Sequence, residues 1–310
     1  MLSESMPRLG ELGMLVALLI PIGLAVIVYA AMLLRAAIAA RAVPKIEGAI
    51  LGAITNFFDT LGIGSFAPTM AWFKVRKLVP DRLIPCTMLV GHTLPTLAQA
   101  IIFLILLGVL VDPVLLTGCI VALLLGGLMG APLVAKTKVW IVQLVVACAL
   151  ILAASLYAMT NLNMMPGGGT AASLPLTLMV IAIIANFVFG VLLNFGIGNY
   201  APTLVMFSLM GMDPRLSFPI MAGGAAMAAA GASARHISMG EIDLRIVTGM
   251  AIGGVPAVFV AAFVVKSMPV EMLRWMVIVV VLYAALMMLR AAYLGRRRPM
   301  SLTADRAAAL

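Results

Sequence analysis

The chain has 310 residues, 64% of them hydrophobic and only 10% charged, with a formal net charge of +9 and a mean hydropathy of +1.20. Soluble domains carry about 25% charged residues, so a water-soluble globular fold is excluded. The basic residues stand at the ends of apolar runs instead of gathering on a polar surface, which excludes a nucleic-acid partner and points to orientation in a bilayer. The class left is an all-α polytopic membrane protein.

Residues 12–34 form the first apolar run, followed by Arg35, Arg41 and Lys45. A cleaved signal has a shorter core and its charge in front, so a retained first helix is expected, N-terminus outside. Two short arms, 46–60 and 65–73, then flank a break. At about 1.5 Å per residue they reach about 22 and 14 Å, against a hydrocarbon core of about 30 Å. Together they make one broken crossing or fold back as a re-entrant hairpin. Spans are expected near 83–110, 113–135 and 139–160 and, beyond a second break, near 216–234, 246–265 and 270–290. Arg235-His236 and Glu241 to Arg245 read as solvated loop. The run Arg296-Arg297-Arg298 reads as a membrane-end anchor toward anionic lipid, and the tail after Pro299 as loose.

The two breaks are copies of one design. Leu61-Gly62-Ile63-Gly64-Ser65-Phe66-Ala67-Pro68-Thr69 and Phe195-Gly196-Ile197-Gly198-Asn199-Tyr200-Ala201-Pro202-Thr203 agree at six of nine positions, at an offset of 134 that also carries Pro85 onto Pro219. This is an internal repeat. Glycine releases the backbone from helical angles. Ser65 or Asn199 can accept from the orphan amides of the next turn, and Pro68 or Pro202 stands in that first turn, where a missing amide costs little. In lipid a broken helix is tolerated only where its freed backbone groups meet protein or a polar cavity, and two breaks in corresponding halves point to a transporter binding site.

Charge chooses between crossing and hairpin. With two hairpins, 16 of the 20 basic residues fall on one side and only Arg8, Arg215, Lys266 and Arg274 on the other; with two crossings the split is even. The positive-inside rule favours hairpins. Each repeat, a hairpin plus three transmembrane helices, then crosses an odd number of times, so the two are inverted. The expected layout is an N-terminal transmembrane helix (1–43), repeat 1 (44–160), a Gly-rich linker (161–172), repeat 2 (173–294) and a cytoplasmic tail (295–310). That makes seven spans and two hairpins.

Inverted repeats bring both breaks toward the midplane. The amides around Gly62, Gly64, Ser65 and Phe66, and around Gly196, Gly198, Asn199 and Tyr200, then face a shared cavity. Two converging helix N-termini make an anion site without a basic side chain, and Thr69 and Thr203 can add hydroxyl donors. The competing reading of these glycines is close helix packing. Asp59 is the only acid well inside an apolar segment, with Asn56 one turn earlier; it is either a proton-relay group or a brace that accepts amides of the break. His92, Thr96 and Gln99 form a polar stripe that lines the path or bonds neighbouring helices, and Asn186 and Asn194 give the helix entering the second break a polar face. Cys86, Cys119 and Cys148 lack CxxC spacing and read as buried small hydrophobes. No metal or other cofactor is expected, and no nucleophile–base pair argues for an enzyme.

Asn56-Phe57-Phe58-Asp59-Thr60-Leu61-Gly62-Ile63-Gly64-Ser65-Phe66-Ala67, with Val79-Pro80-Asp81-Arg82-Leu83-Ile84-Pro85 and Val90-Gly91-His92-Thr93-Leu94-Pro95-Thr96, resembles the TauE/SafE family of sulfite exporters. The likeness extends over about residues 45–290. It implies export of sulfite or a related small sulfur-containing anion across the bacterial inner membrane. Thiosulfate, sulfoacetate and sulfate stay open as alternative cargo, as does an anion channel. Membrane lipid is an expected partner, and a homodimer is compatible with the reading. In this chain Cys86 to Leu89 and Pro68 depart from the residues common in the family, glycine and asparagine at the first stretch and threonine at the second.

Overall fold

The computed structural model describes residues 9–80, 83–134, 138–162, 164, 169–193, 198–240 and 242–297. Asn194 and Gly196, two of the expected site residues, and the tail beyond 297 lie outside them. Among the described residues eleven α-helices follow in order: α1 (Leu9–Ala39), α2 (Ile46–Thr60), α3 (Phe66–Arg76), α4 (Ile84–Leu106), α5 (Pro113–Val134), α6 (Val139–Asn161), α7 (Leu176–Leu193), α8 (Tyr200–Leu209), α9 (Ser217–Met239), α10 (Leu244–Ser267) and α11 (Val270–Arg297). No strand occurs among the described residues.

Eight of these helices are long and apolar enough to cross a membrane, α7 among them. By length and composition α7 is thus a candidate span beside the seven expected. The arm entering the second break has 18 residues, where its counterpart α2 has 15. The proline that opens it explains the difference. At the repeat offset Pro44 corresponds to position 178, but Pro175 stands three residues earlier and lets the helix begin sooner. With this set of helices the chain is a multi-pass membrane protein.

The helices form a centre and a rim. In α4 and α9, 61% of the membrane window is buried, whereas in α1 and α7 only 17% is, so α4 and α9 form the core and α1 and α7 turn most of their apolar surface to lipid. The packing is exchanged between the halves. Helix α2 lies on α10, α7 on α5, α4 on α9 and α6 on α11. Lipid tails are as apolar as the helices, so association depends on close van der Waals approach, and glycines supply it. Gly48 and Gly52 bring α2 against the backbone of Ile246 and Met250, while Gly126 and Gly190 do the same for α5 and α7.

In both broken segments the outer ends of the two arms are held together by hydrogen bonds. At the mouth of the first, Arg76 Nε at the end of α3 donates to Glu47 Oε1 in the first turn of α2 at 2.8 Å, and Trp72 Nε1 donates to the same oxygen at 3.2 Å. At the mouth of the second, backbone closes the gap: Ala171 N–H donates to Gly211 O at 3.2 Å, and Asp213 N–H to Ala171 O at 3.1 Å. A straight broken crossing would hold either pair of ends apart by the length of both arms.

Two further expectations change. Helix α9 continues through Arg235 and His236 to Met239 and is ended by Gly240 at φ +70, so those residues are helical and the loop is confined to the residues before α10. The long basic side chain of Arg235 can extend along the helix end toward water without a loop. Cys148 is exposed on the sparsely buried α6, so it is a lipid-facing residue and not a core one.

Candidate functional site

The first break is built by Gly62 at φ +95 and Gly64 at φ +88, left-handed angles that glycine adopts without steric cost. The second break differs where it is described, since Gly198 is not in the left-handed region. Ser65 and Asn199 do not cap, contrary to expectation. Each already has a helical backbone (φ −92, ψ −27 and φ −77, ψ −15), and neither side chain bonds an amide of the following turn. A capping residue needs extended angles to aim its oxygen at those amides. Asn199 instead donates through Nδ2 to Met221 O of α9 at 3.2 Å. Ser65 turns to Asp59, whose carboxylate has the Ser65 hydroxyl and backbone amide as hydrogen-bonding neighbours. The first-turn amides of α3 and α8 are therefore free of side-chain caps, and β-carbons built on Gly64 or Gly198 would meet nothing within 4 Å.

A buried relay of hydrogen bonds holds the first break. Asn56 Nδ2 donates to Gly52 O at 2.7 Å, which turns Asn56 Oδ1 toward His92 Nδ1 at 3.0 Å, and His92 Nε2 lies 2.9 Å from Thr69 Oγ1. Asn56, His92 and Thr69 are all buried. An amide oxygen only accepts, so Nδ1 carries the proton; in the neutral ring Nε2 then accepts, and Thr69 donates to it. Thr69 is thus not a donor toward an anion. Its hydroxyl is committed, and it can offer the site only lone pairs. The Phe66 ring packs over His92 with centroids 5.6 Å apart. Space for the relay comes from α10, where a β-carbon on Gly254 would stand 2.6 Å from Asn56 Nδ2.

The second break brings donors that the protein leaves unfilled. The buried Gln99 Nε2, Tyr200 Oη and Thr203 Oγ1 have no hydrogen-bond partner. Gln99 is a hydrogen-bonding neighbour of Tyr200, although no bond of full geometry forms between them, and Tyr200 lies within electrostatic reach of Asp59. Gly62 faces Leu204 of α8 and Val280 of α11. The two breaks, 134 positions apart in the chain, are thereby adjacent. Of the expected stripe on α4, His92 and Gln99 reach this region, while Thr96 donates back to His92 O at 2.9 Å and serves its own helix. Asn186 Nδ2 is likewise spent on Ala182 O at 2.9 Å.

One buried cluster escaped the sequence reading. Tyr29 of α1 donates to Val90 O at 2.6 Å, and beside it Thr93 and Ser233 lie 2.6 Å apart, tying α1 to α4 and α9. The available signal was a tyrosine in mid-span, which in lipid needs a partner. An apolar groove of about 360 Å³ between Phe58, Ile63 and Pro68 on one side and Val279, Val280 and Tyr283 on the other adjoins the first break, where Val280 also faces Gly62. Among the described residues no three His, Cys, Asp or Glu side chains come together to hold a metal.

No curated protein and no solved structure matches this chain. Residues 178–309, which begin within α7 and run past the end of α11, match the family model Sulfite exporter TauE/SafE. The motifs quoted above for that resemblance lie between residues 56 and 96, in the half of the chain the match does not cover. The chain is similar to the sulfite exporter TauE/SafE family of membrane transporters over residues 178–309.

Proposed function

We propose that the protein is a secondary transporter that exports sulfite, or a related small sulfur-containing anion, across the bacterial inner membrane. The observation that carries this reading is the meeting of the two breaks: two uncapped helix N-termini, α3 and α8, beside three buried donors with no protein partner. Helix N-termini attract anions, and a cargo that must leave is better held by backbone and hydroxyl groups than by a buried arginine. The exchanged packing of the halves and the closed mouths of both broken segments support inverted repeats with re-entrant hairpins. The basic residues then lie on the cytoplasmic face with the C-terminus, and the N-terminus lies outside. Asp59 is the group placed to link anion movement to protons.

The test is flux into and out of liposomes containing the purified protein, challenged with sulfite, thiosulfate, sulfoacetate and sulfate under an imposed pH gradient. Saturable, gradient-driven movement of sulfite is expected. Movement of another member of the panel alone would reassign the cargo, and non-saturable flux would make the protein a channel.

A further inference from the structure

The polar groups between the breaks divide by hydrogen-bonding sense. At the first break they accept: the Asp59 carboxylate is an acceptor, and the Thr69 hydroxyl is committed as donor to His92 Nε2, leaving lone pairs. At the second they donate: Gln99 Nε2, Tyr200 Oη and Thr203 Oγ1 are buried and make no hydrogen bond of full geometry, Gln99 and Tyr200 standing beside each other with donor hydrogens to spare. A fully deprotonated oxyanion satisfies only the donor side. It would also set its charge against the Asp59 carboxylate in a medium where like charges repel strongly. An ion with one negative charge and one O–H satisfies both sides, donating to Asp59 while its bare oxygens accept from Gln99, Tyr200 and Thr203.

Building on the transport reading above, we infer that the site takes a singly protonated oxyanion, the O-protonated form of hydrogen sulfite, with its O–H directed at Asp59 and its other oxygens at Gln99, Tyr200 and Thr203. The proton is then shared between cargo and carboxylate and travels with the anion. The titratable side chains at this region are His92 from α4 and Tyr200 from α8, and Tyr283 from α11 lines the adjoining groove. Helices α3 and α10 carry their charges, Lys74, Arg76, Arg245 and Lys266, only near their ends.

The experiment is calorimetric titration of the purified full chain in detergent with sodium sulfite, at mildly acidic and mildly alkaline pH. Methanesulfonate, an anion with one charge and no O–H, is the comparator. A hydrogen bond to a charged group is worth enough to change affinity about tenfold or more. Apparent sulfite affinity should therefore fall at least about tenfold on going alkaline. Methanesulfonate should bind about tenfold weaker than sulfite in acid and respond less to pH. If protonation of Asp59 merely relieved repulsion, both anions would tighten in parallel in acid, and that result would overturn the inference. Sulfite binding equally or more tightly in alkali would overturn it too, while leaving the transport reading intact. Sulfite binding at neither pH would remove the transport reading itself. Asp59→Asn should flatten the pH response of sulfite; should that variant not fold, the comparison of the two anions on the native chain decides.

Discussion

The Thr69 hydroxyl donates to His92 Nε2 at 2.9 Å, and this bond ties the first turn of α3 to the middle of α4. Asn56 holds the other ring nitrogen at 3.0 Å, so three helices meet on one imidazole. Replacing His92 by Ala strands two buried partners, each worth about 1 to 3 kcal/mol when left unpaired. A loss of about 2 to 5 kcal/mol is expected in thermal or denaturant unfolding in detergent. Thr69→Val should cost about 1 to 3 kcal/mol on the same grounds, and Thr69→Ser should restore most of it. In a double-mutant cycle the His92 and Thr69 losses should be non-additive. Additive losses would mean that the two side chains do not share a bond.

The two breaks respond differently to added side chains. Gly64 sits at φ +88 with open space around it, so Gly64→Ala meets no clash but forces a left-handed angle costing about 1 to 2 kcal/mol. Gly198 has the same open space and no left-handed angle, and Gly198→Ala should leave stability nearly unchanged. Thermal unfolding in detergent separates them. If the anion approaches both backbones, each variant should also weaken sulfite binding, and normal binding by both would place the anion elsewhere.

The breaks themselves were legible in the sequence because a Gly-x-Gly followed by proline is rare inside an apolar run and here occurs twice at one offset. What the side chains at the breaks do was not legible. Whether Ser65 and Asn199 cap depends on a backbone angle that residue identity does not fix. Thr69 became an acceptor only through His92, 23 positions away and on another helix. The length of α7 turned on where Pro175 stands, and the helical extension through His236 on charged residues that a membrane-end helix can carry outward. Sequence patterns show which groups are polar; which of them is left without a partner is a property of the packed state.

The mouth of the first hairpin is held by exposed side chains and that of the second by backbone. Arg76 beside Glu47 holds its carboxyl below the usual carboxylate range. A carboxylate with a depressed pKa contributes stability above its unfolded-state pKa and loses it as the pH falls through the folded-state value. The clasp should therefore weaken only in acid, and salt should weaken it further because the pair is exposed. Cysteines at positions 47 and 76 in a cysteine-free background should be joined near neutral pH by a short bifunctional thiol reagent, which spans the gap that the long Arg76 and Glu47 side chains fill, read as a mobility shift. Failure to cross-link would mean that the arms do not fold back.

The inverted arrangement makes its own demand on labelling. Val75, near the end of α3, and Leu209, at the end of α8, are both exposed, and the proposed inverted hairpins would place them at opposite faces of the membrane. Single cysteines there should react with an impermeant reagent from opposite sides, Val75 from the cytoplasm. Reaction from the same side would rule out inverted repeats.

Under the proposed transport reading, Asp59 decides whether movement of the anion is proton-linked. It is buried at the end of α2, its carboxylate facing Ser65 and within reach of Tyr200. Burial and an approaching anion both favour its protonated form, while the hydroxyl and amide of Ser65 and the two helix N-termini favour the charged one. Asp59→Asn preserves the shape and much of the hydrogen bonding but cannot change charge or accept the proton of the cargo. In liposomes with sulfite inside, native flux should rise when the pH gradient drives protons in the direction of transport. The Asn variant should carry sulfite more slowly and show no response to the gradient. A variant that responds as the native protein does would show that Asp59 carries no proton, and its role would then be that of a brace accepting from Ser65 across the turn at Gly62 and Gly64.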